Sequence, residues 1–352
     1  MRRIMVRMWA RVGKLAVTAL LAGAWLQPVS CVSEAQCRYE DILCDEEAQA
    51  AFLLLPAGVS RWIAAGNNGT IMYFEKRTLE WKQAPATGTT ENLQAVALDS
   101  SGKSVSVALN QESIHSTNGG QTWSMAPYSG ATSLTGIDSD GTGLWVAAGS
   151  SGSVPYIAKS ADDGLNWNSV NPGGTSGLRS VHYYGNQRWV VIGGTGESLC
   201  YYSTDSASNW NACTLTTGVS AIDLAGDSSG RLVMVGVTDS VAYSTDGGLS
   251  WTNTTTGAGI SWKAIATDNN GRWIAVGGGG MTAHSTDGGQ NWTSSDTGSG
   301  INLNGIATDG RLWIAVGDAG TYVYSIDGGI TWKTGMTGTA EILNDITHER
   351  LL

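Results

Sequence analysis

The chain has 352 residues and a formal net charge of −10. It has no basic stripe to neutralise phosphates, and this acidic balance excludes a nucleic-acid-binding function. With 48 glycines, 15 tryptophans, 2 phenylalanines and 14 % charged residues, the composition excludes a disordered chain and is typical of a turn-rich all-β protein.

The first 30 residues have the pattern of a secretory signal peptide. Basic residues up to Lys14 precede an apolar run from Leu15 to Leu26, which is too short to span a membrane comfortably. The following Ser30-Cys31 step resembles a lipobox and favours a lipid anchor on Cys31; cleavage after Ala35, with release of a soluble protein, is the alternative. We expect export to a bacterial cell envelope as a periplasmic or outer-membrane lipoprotein, or secretion in soluble form.

Residues 31–58 are predicted to form an acidic N-terminal tether with a short helical stretch that packs on the edge of the following domain. An exported protein meets an oxidising compartment, in which cysteines pair. Cys200 and Cys213 flank one predicted hairpin, so we expect a disulfide between them. Cys37 and Cys44 then form the remaining pair.

From residue 59 onward a repeat of about forty residues fills the chain. A tryptophan returns at intervals of 40 to 44 residues, at Trp81, Trp123, Trp167, Trp210, Trp251, Trp292 and Trp332. Before Trp292, three short apolar runs separated by Gly, Asn or Asp read as strands divided by turns, and a fourth strand is expected to start at Trp292 itself. Four strands per period is the pattern of a propeller blade. We name these strands A to D.

The count of strands predicts how the ring closes. The first unit, Arg61 to Lys82, supplies strands B, C and D but no strand A. The segment from Ile342 to Thr347 matches the strand A segment that begins at Ile301, so it is expected to complete the first blade. The sequence therefore predicts an all-β, seven-bladed β-propeller of four-stranded blades over residues 59–352, closed by its C-terminal strand, with no free edge to invite aggregation.

The turn between strands C and D carries the most specific motif of the chain. One copy runs from Ser285 through Asp287 and Gly289 to Trp292, and the acidic position of the successive copies is held by Asn118, Asp162, Asp205, Asp246, Asp287 and Asp327. A carboxylate and a hydroxyl accept hydrogen bonds from turn amides, and glycine permits a positive φ. These residues are therefore predicted to build the turn and not to bind an ion.

This motif resembles the Asp-box, S-x-D-x-G-x-x-W. Asp-box proteins include sialidases, but the resemblance covers only the repeats, because the loops expected on the binding face have almost no arginine to grip a carboxylate. Over residues 59–348 the repeats are most similar to propellers of the photosystem II stability/assembly factor group. That resemblance implies a noncatalytic scaffold that holds partner proteins, and it transfers no single functional residue.

Two sets of candidate site residues fall on the loops from D to A and from B to C, which are expected to share one face around a central channel. A glycoside hydrolase, the enzymatic alternative, needs two carboxylates, and the candidates are Glu112, Glu197, Asp239 and Asp318, with Glu91, Asp296 and Glu341 on the D-to-A loops. Tyr128 and Trp262 are aromatic candidates for stacking on a ligand, with packing at a blade entrance as the alternative.

Other chemistries find no support in the sequence. The four histidines lie in or beside strands of different blades without metal-ligand spacing, and we expect neither a metal nor a cofactor. Arginines recur at the A-to-B turns, which assigns them to repeat structure. We expect a monomeric, noncatalytic, lipid-anchored propeller that binds a protein or a glycan, with a polysaccharide hydrolase and an assembly factor for a membrane complex as the alternatives.

Overall fold

The structure, a computed structural model, describes residues 61–75, 80–126, 128, 130–194, 199–215 and 218–348. These residues form seven antiparallel four-stranded sheets, each with the strand order A-B-C-D. Because each strand pairs with its sequence neighbour, every sheet is a simple meander. No helix in these ranges is both long and apolar enough to cross a membrane.

The two inner strands of each blade are the longer and more buried pair. The A strands of blades 2 to 7 and then 1 are β4 (Leu93–Leu98), β8 (Ser133–Ser139), β12 (Leu178–Tyr183), β16 (Ala221–Gly226), β20 (Trp262–Thr267), β24 (Leu303–Thr308) and β28 (Leu343–His348). The B strands of blades 1 to 7 are β1 (Trp62–Gly66), β5 (Ser104–Ala108), β9 (Trp145–Ser151), β13 (Trp189–Gly193), β17 (Leu232–Gly236), β21 (Trp273–Gly277) and β25 (Trp313–Gly317).

The two outer strands shorten toward the rim. The C strands of blades 1 to 7 are β2 (Ile71–Glu75), β6 (Ser113–Ser116), β10 (Val154–Ser160), β14 (Leu199–Ser203), β18 (Val241–Ser244), β22 (Met281–Ser285) and β26 (Thr321–Ser325). The D strands are β3 (Glu80–Gln83), β7 (Ser124–Met125), β11 (Asn168–Val170), β15 (Asn211–Ala212), β19 (Thr252–Thr254), β23 (Thr293–Asp296) and β27 (Lys333–Met336).

Blade 1 confirms the predicted closure of the ring. Strand β28 pairs with β1 in antiparallel register from Trp62 opposite His348 to Gly66 opposite Leu343. The last strand of the chain therefore covers the edge that β1 would otherwise expose. The predicted seven-bladed fold with a shared first blade is confirmed.

The core lies between neighbouring blades. Strand B is buried on both of its faces because the sheets on either side cover it, and five of the seven B strands begin with a tryptophan: Trp62, Trp145, Trp189, Trp273 and Trp313. The repeat tryptophans lie further out: six of them directly precede strand D, and Trp81 lies within β3. The expectation that strand D starts at Trp292 was wrong by one residue, since the Trp292 indole donates to the Gly289 carbonyl at 2.9 Å and closes the turn, and β23 begins at Thr293.

The structure joins the predicted cysteine pair in blade 4. A disulfide links Cys200 to Cys213 with a Cα–Cα distance of 5.3 Å, and the Cys213 amide donates to the Cys200 carbonyl at 3.0 Å. Cys213 lies one residue beyond strand β15, which has only two residues. The bridge therefore fastens the outermost strand of this blade where few ladder hydrogen bonds hold it. The second expected pair, Cys37 and Cys44, lies outside the described residues.

Candidate functional site

The two ends of the propeller differ in their loops. At one end, the B-to-C turns contact the D-to-A loops, as where the Gly69 amide donates to the Glu91 carbonyl at 2.8 Å and the Gly320 amide to that of Glu341 at 2.7 Å. At the other end, the A-to-B turns contact the Asp-boxes, as where the Gly119 amide donates to the Gly102 carbonyl at 3.0 Å. We call these ends the loop face and the Asp-box face.

The Asp-boxes are turn-building units. In blade 6 the Ser285 hydroxyl donates to the Asp287 carboxylate at 2.8 Å, and the amides of Gln290 and Asn291 donate to the same oxygen at 3.1 and 3.0 Å. In blade 4, the side chain and backbone of Asn209 lower the pKa of Asp205 to about 2 through their hydrogen bonds. The same hydrogen-bonded geometry recurs at the acidic positions Asn118, Asp162, Asp205, Asp246, Asp287 and Asp327.

Basic residues ahead of strand B fasten several neighbouring blades to each other on the Asp-box face. The Arg61 guanidinium donates to the Gly102 carbonyl at 3.3 Å. The Arg272 guanidinium donates to the Gly328 carbonyl, in the Asp-box of the following blade, at 2.5 Å. Lys103 forms an ion pair of 2.6 Å with Asp163 of the next Asp-box. The bond from Arg272 shows that an arginine at an A-to-B turn can serve blade-to-blade packing.

A central channel of about 660 Å³ runs along the seven A strands. Each A strand carries a β-bulge near its start, at the third residue of β8 and the second residue of the other six, where one residue is skipped in the pairing with strand B. A bulge redirects the side chain of the skipped residue, and all seven skipped residues line the channel. They are Gln94, Thr135, Arg179, Ile222, Lys263, Asn304 and Asn344.

Three carboxylates in the channel wall join neighbouring blades. Each accepts the backbone amide of a residue on the next blade at 2.8 to 2.9 Å, and the pairs are Asp138 with Tyr183, Asp223 with Ile265, and Asp345 with Val96. Asp223 also accepts the Ser180 hydroxyl at 2.7 Å, and Asp138 lies 3.2 Å from the His182 imidazole. The repeat pattern does not mark these acids. Asp223 and Asp345 are the third residues of their A strands and Asp138 is the sixth, and the other A strands have no acid at either position.

Burial sets the protonation of the acids in the channel. Loss of hydration, with a smaller contribution from the carboxylates of Asp223 and Asp138, raises the pKa of Asp345 to about 7 against the opposing hydrogen bonds from Val96 and Ile346. Burial also raises the pKa of Asp223. Near neutral pH Asp345 therefore exchanges between its neutral and charged forms inside the channel. In the described part of the chain no three His, Cys, Asp or Glu residues are grouped so that they could hold a metal ion.

The carboxylates predicted for a hydrolase on the described B-to-C loops, Glu112, Asp239 and Asp318, lie on blades 2, 5 and 7. Only Glu112 has a candidate from a D-to-A loop bonded to the same group, since the Thr89 hydroxyl that it accepts also accepts the Glu91 amide. Asp318 accepts the amide groups of Asn302 and Asn304 at 2.9 and 3.1 Å, and Glu112 accepts the hydroxyl of Thr89. The acids of the D-to-A loops also accept hydrogen bonds. Glu91 accepts one from the Asn110 side-chain amide, Glu341 from the Asn68 side-chain amide, and Asp296 from the Gly298 backbone amide. Glu197 lies outside the described residues.

Asp239 accepts more hydrogen bonds than the other described candidate acids. It is buried and accepts the hydroxyls of Thr255 and Thr256, the Gly257 amide at 2.9 Å and the Trp262 indole at 2.9 Å. Burial alone would raise its pKa, but these hydrogen bonds outweigh burial and lower the pKa to about 2. Asp239 is thus permanently ionised and organises the D-to-A loop, a poor fit to a general acid, which must hold a proton.

The side chains of the two aromatic candidates are buried in the fold. Trp262 is fully buried and Tyr128 is 5 % exposed. The Tyr128 hydroxyl donates to the Ala108 carbonyl at 2.9 Å, and burial raises the pKa of this phenol above its usual range. Neither ring presents a face to solvent, which corrects the expectation that they stack on a ligand and supports the alternative of packing at a blade entrance.

Comparison of the sequence with protein families agrees with the repeat assignment. The BNR/Asp-box repeat matches residues 114–125 and 323–334, which span the C-to-D turns of blades 2 and 7. The chain therefore carries BNR/Asp-box repeats on a seven-bladed propeller. No curated protein matches the chain in sequence.

Solved structures similar to the chain include two described as YCF48. A YCF48 bound to D1 peptide is 18 % identical, covers 75 % of this chain and 92 % of its own, and gives a TM-score of 0.59. YCF48 from Cyanidioschyzon merolae is 16 % identical over 76 % of this chain and 97 % of its own, with a TM-score of 0.57. A protein from Lactobacillus plantarum is 15 % identical over 82 % and 99 %, with a TM-score of 0.62. At these identities the likeness concerns the fold.

Proposed function

We propose that the chain is an exported, lipid-anchored and noncatalytic propeller that holds a protein partner on its loop face. The observation that carries this proposal is the hydrogen bonding of the candidate acids. Glu112, Asp239 and Asp318 are each engaged by hydroxyl or amide groups that tether the loops, and these three acids lie on different blades and share no hydrogen-bonding partner. Glu91, whose amide bonds to the same Thr89 hydroxyl as Glu112, has its own carboxylate engaged by the Asn110 side chain. A pair of carboxylates poised across a glycosidic bond would need a common open site.

The shape and composition of the loop face also suit a binding platform. The seven blades fix the positions of D-to-A loops such as residues 297–302 and 337–342, which are rich in Gly, Ser, Thr and Asn and provide adaptable polar contacts. The YCF48 propeller bound to D1 peptide is a precedent for peptide binding on this fold. An assembly factor for a membrane complex is a special case of this function, and it predicts copurification with such a complex.

Site-specific photocrosslinking in the native membrane fraction tests the proposal. A photoreactive residue at Ala340 lies in an exposed loop of the loop face, and the same residue at Gln121 lies in an exposed Asp-box turn as the matched control. We expect a single crosslinked protein from position 340 and none from position 121. Equal crosslinking at both positions, or capture of glycans alone, would contradict a protein-binding loop face.

The same preparation tests export and the enzymatic alternative. Mass spectrometry of the N-terminal peptide should find diacylglycerol on Cys31, whereas a chain beginning at Gln36 would contradict the anchor. Assay of a polysaccharide panel with the wild-type chain and with Glu112→Gln, Asp239→Asn and Asp318→Asn should show no turnover. Turnover that any one of these substitutions abolishes would overturn the noncatalytic function.

A further inference from the structure

A second cavity opens on the loop face where blades 3 and 4 meet. Its volume is about 470 Å³, within the range of small-ligand pockets. The hairpin between β9 and β10 forms one wall, and the loop from β11 to β12 forms the other. Six of its lining residues carry hydroxyl groups, and they are Ser133, Thr135, Ser150, Ser153, Thr175 and Ser176.

Arg179 is the one cationic residue that lines this cavity, and it is exposed. As the bulged residue of β12 it also lines the channel, so its side chain lies at the junction of the two spaces. Within the described ranges its guanidinium forms no ion pair or side-chain hydrogen bond. Lys263, the other cationic bulge residue that lines the channel, donates to the Asn304 side chain at 2.9 Å.

The groups beside the guanidinium leave hydrogen-bond donors available. The hydroxyls of Ser133 and Ser150 lie 3.1 Å apart, and because their mutual bond uses one proton, the other remains free to donate. The Thr135 hydroxyl lies 3.0 Å from the Leu178 carbonyl and 3.1 Å from that of Arg179, which ties β8 to the start of β12. The cavity thus combines one fixed positive charge with neutral donors and contains no acid among its lining residues.

From this geometry we infer that the cavity binds a carboxylate group of a peptide segment of the partner, with Arg179 as the counter-ion. A guanidinium has two parallel N–H groups that match a planar carboxylate, and a single positive charge balances a monoanion. The cavity lacks the aromatic platform that commonly stacks on sugar rings, which favours a peptide over a sugar acid. This inference deepens the proposed function by naming the chemical group that the loop face recognises.

Nuclear magnetic resonance titration of the full, ¹⁵N-labelled chain with two matched probes tests the inference. The probes are acetyl-triglycine with a free carboxylate and the same peptide as its C-terminal amide. We expect the carboxylate probe to shift the amide signals of Gly152, Ser153 and Gly177, and the amide probe to leave them unchanged. Arg179→Gln should weaken binding by about tenfold or more, while Arg188→Gln, which removes an exposed arginine from the Asp-box face, should leave it within about twofold.

Two further arms make the result decisive. Arg179→Lys keeps the charge but not the paired donors, and binding between that of wild type and Arg179→Gln is expected. Glucuronate is the sugar-acid probe, and tighter binding of glucuronate than of the peptide would overturn the peptide assignment. Equal shifts with the acid and the amide, or wild-type binding by Arg179→Gln with an unchanged spectrum elsewhere, would overturn the site. Crosslinking at Ala340 without peptide binding would reject this inference and leave the proposed function standing.

Discussion

Breaking the disulfide of blade 4 should destabilise the propeller by a calculable amount. Cys200 and Cys213 are 13 residues apart in sequence, and closing a loop of this length in the unfolded chain corresponds to a stabilisation of about 3 kcal/mol. Strand β15, which the bridge fastens, pairs with β14 through only two residue pairs, Tyr201 with Ala212 and Tyr202 with Asn211. For a domain of this size we therefore expect reduction to lower the melting temperature by roughly 5 °C.

The assay is thermal and urea unfolding of the oxidised chain with and without a phosphine reductant. The variant with both Cys200→Ala and Cys213→Ala is the matched control, because it removes the bridge while other cysteines remain. It should unfold near the temperature of the reduced wild type and should not respond to reductant. A double variant as stable as the oxidised wild type would refute the reasoning, and a variant still destabilised by reductant would place the effect at another cysteine pair.

Three further predictions concern the channel, the turns and the ring closure. The pKa of Asp345 is raised above its unfolded value, so its stabilising contribution is complete below about pH 4 and is lost as the pH rises through about 7. Urea unfolding should show a loss on the order of 2 kcal/mol between pH 5 and pH 8. Asp345→Asn should reduce that loss and leave the part that comes from Asp223, whose pKa burial also raises. Asp287→Ala should cost about 1 kcal/mol because the Asn291 and Gln290 amides lose their acceptor in the turn and bond to water instead. Asp287→Asn should cost less because its oxygen can still accept, and equal losses in urea would contradict this. A chain that ends before Ile342 should aggregate in size-exclusion chromatography because β1 then has a free edge, and a monodisperse truncated monomer would contradict the closure.

The repeat made most of the fold predictable. The spacing of the tryptophans gives the number of blades, and the missing first A strand identifies the C-terminal segment as its replacement, because strands must pair to satisfy their backbone groups. The Cys200–Cys213 bridge was predictable for the same reason, since knowing the hairpin places both residues on neighbouring strands. The boundary at Thr293 was missed by one residue because the indole of Trp292 belongs to the turn.

The features particular to this chain were not predictable from a repeat. Asp138, Asp223 and Asp345 each bridge two blades, yet they fall at positions that other A strands fill with residues such as alanine or glycine. The direction of a side chain near a strand entrance is set by the bulge and by the neighbouring blade, which is why Trp262 and Tyr128 are buried and Arg179 is exposed.

The register of blade 1 also determines on which face of the propeller the described chain enters and leaves. Because Trp62 lies opposite His348, β1 begins and β28 ends at the same end of the propeller, the one that carries the Asp-boxes. A membrane anchor joined to the start of β1 would therefore hold the Asp-box face toward the membrane. The loop face, with the Arg179 cavity, would then point away from the membrane, where a partner could bind it without steric conflict with the lipid surface.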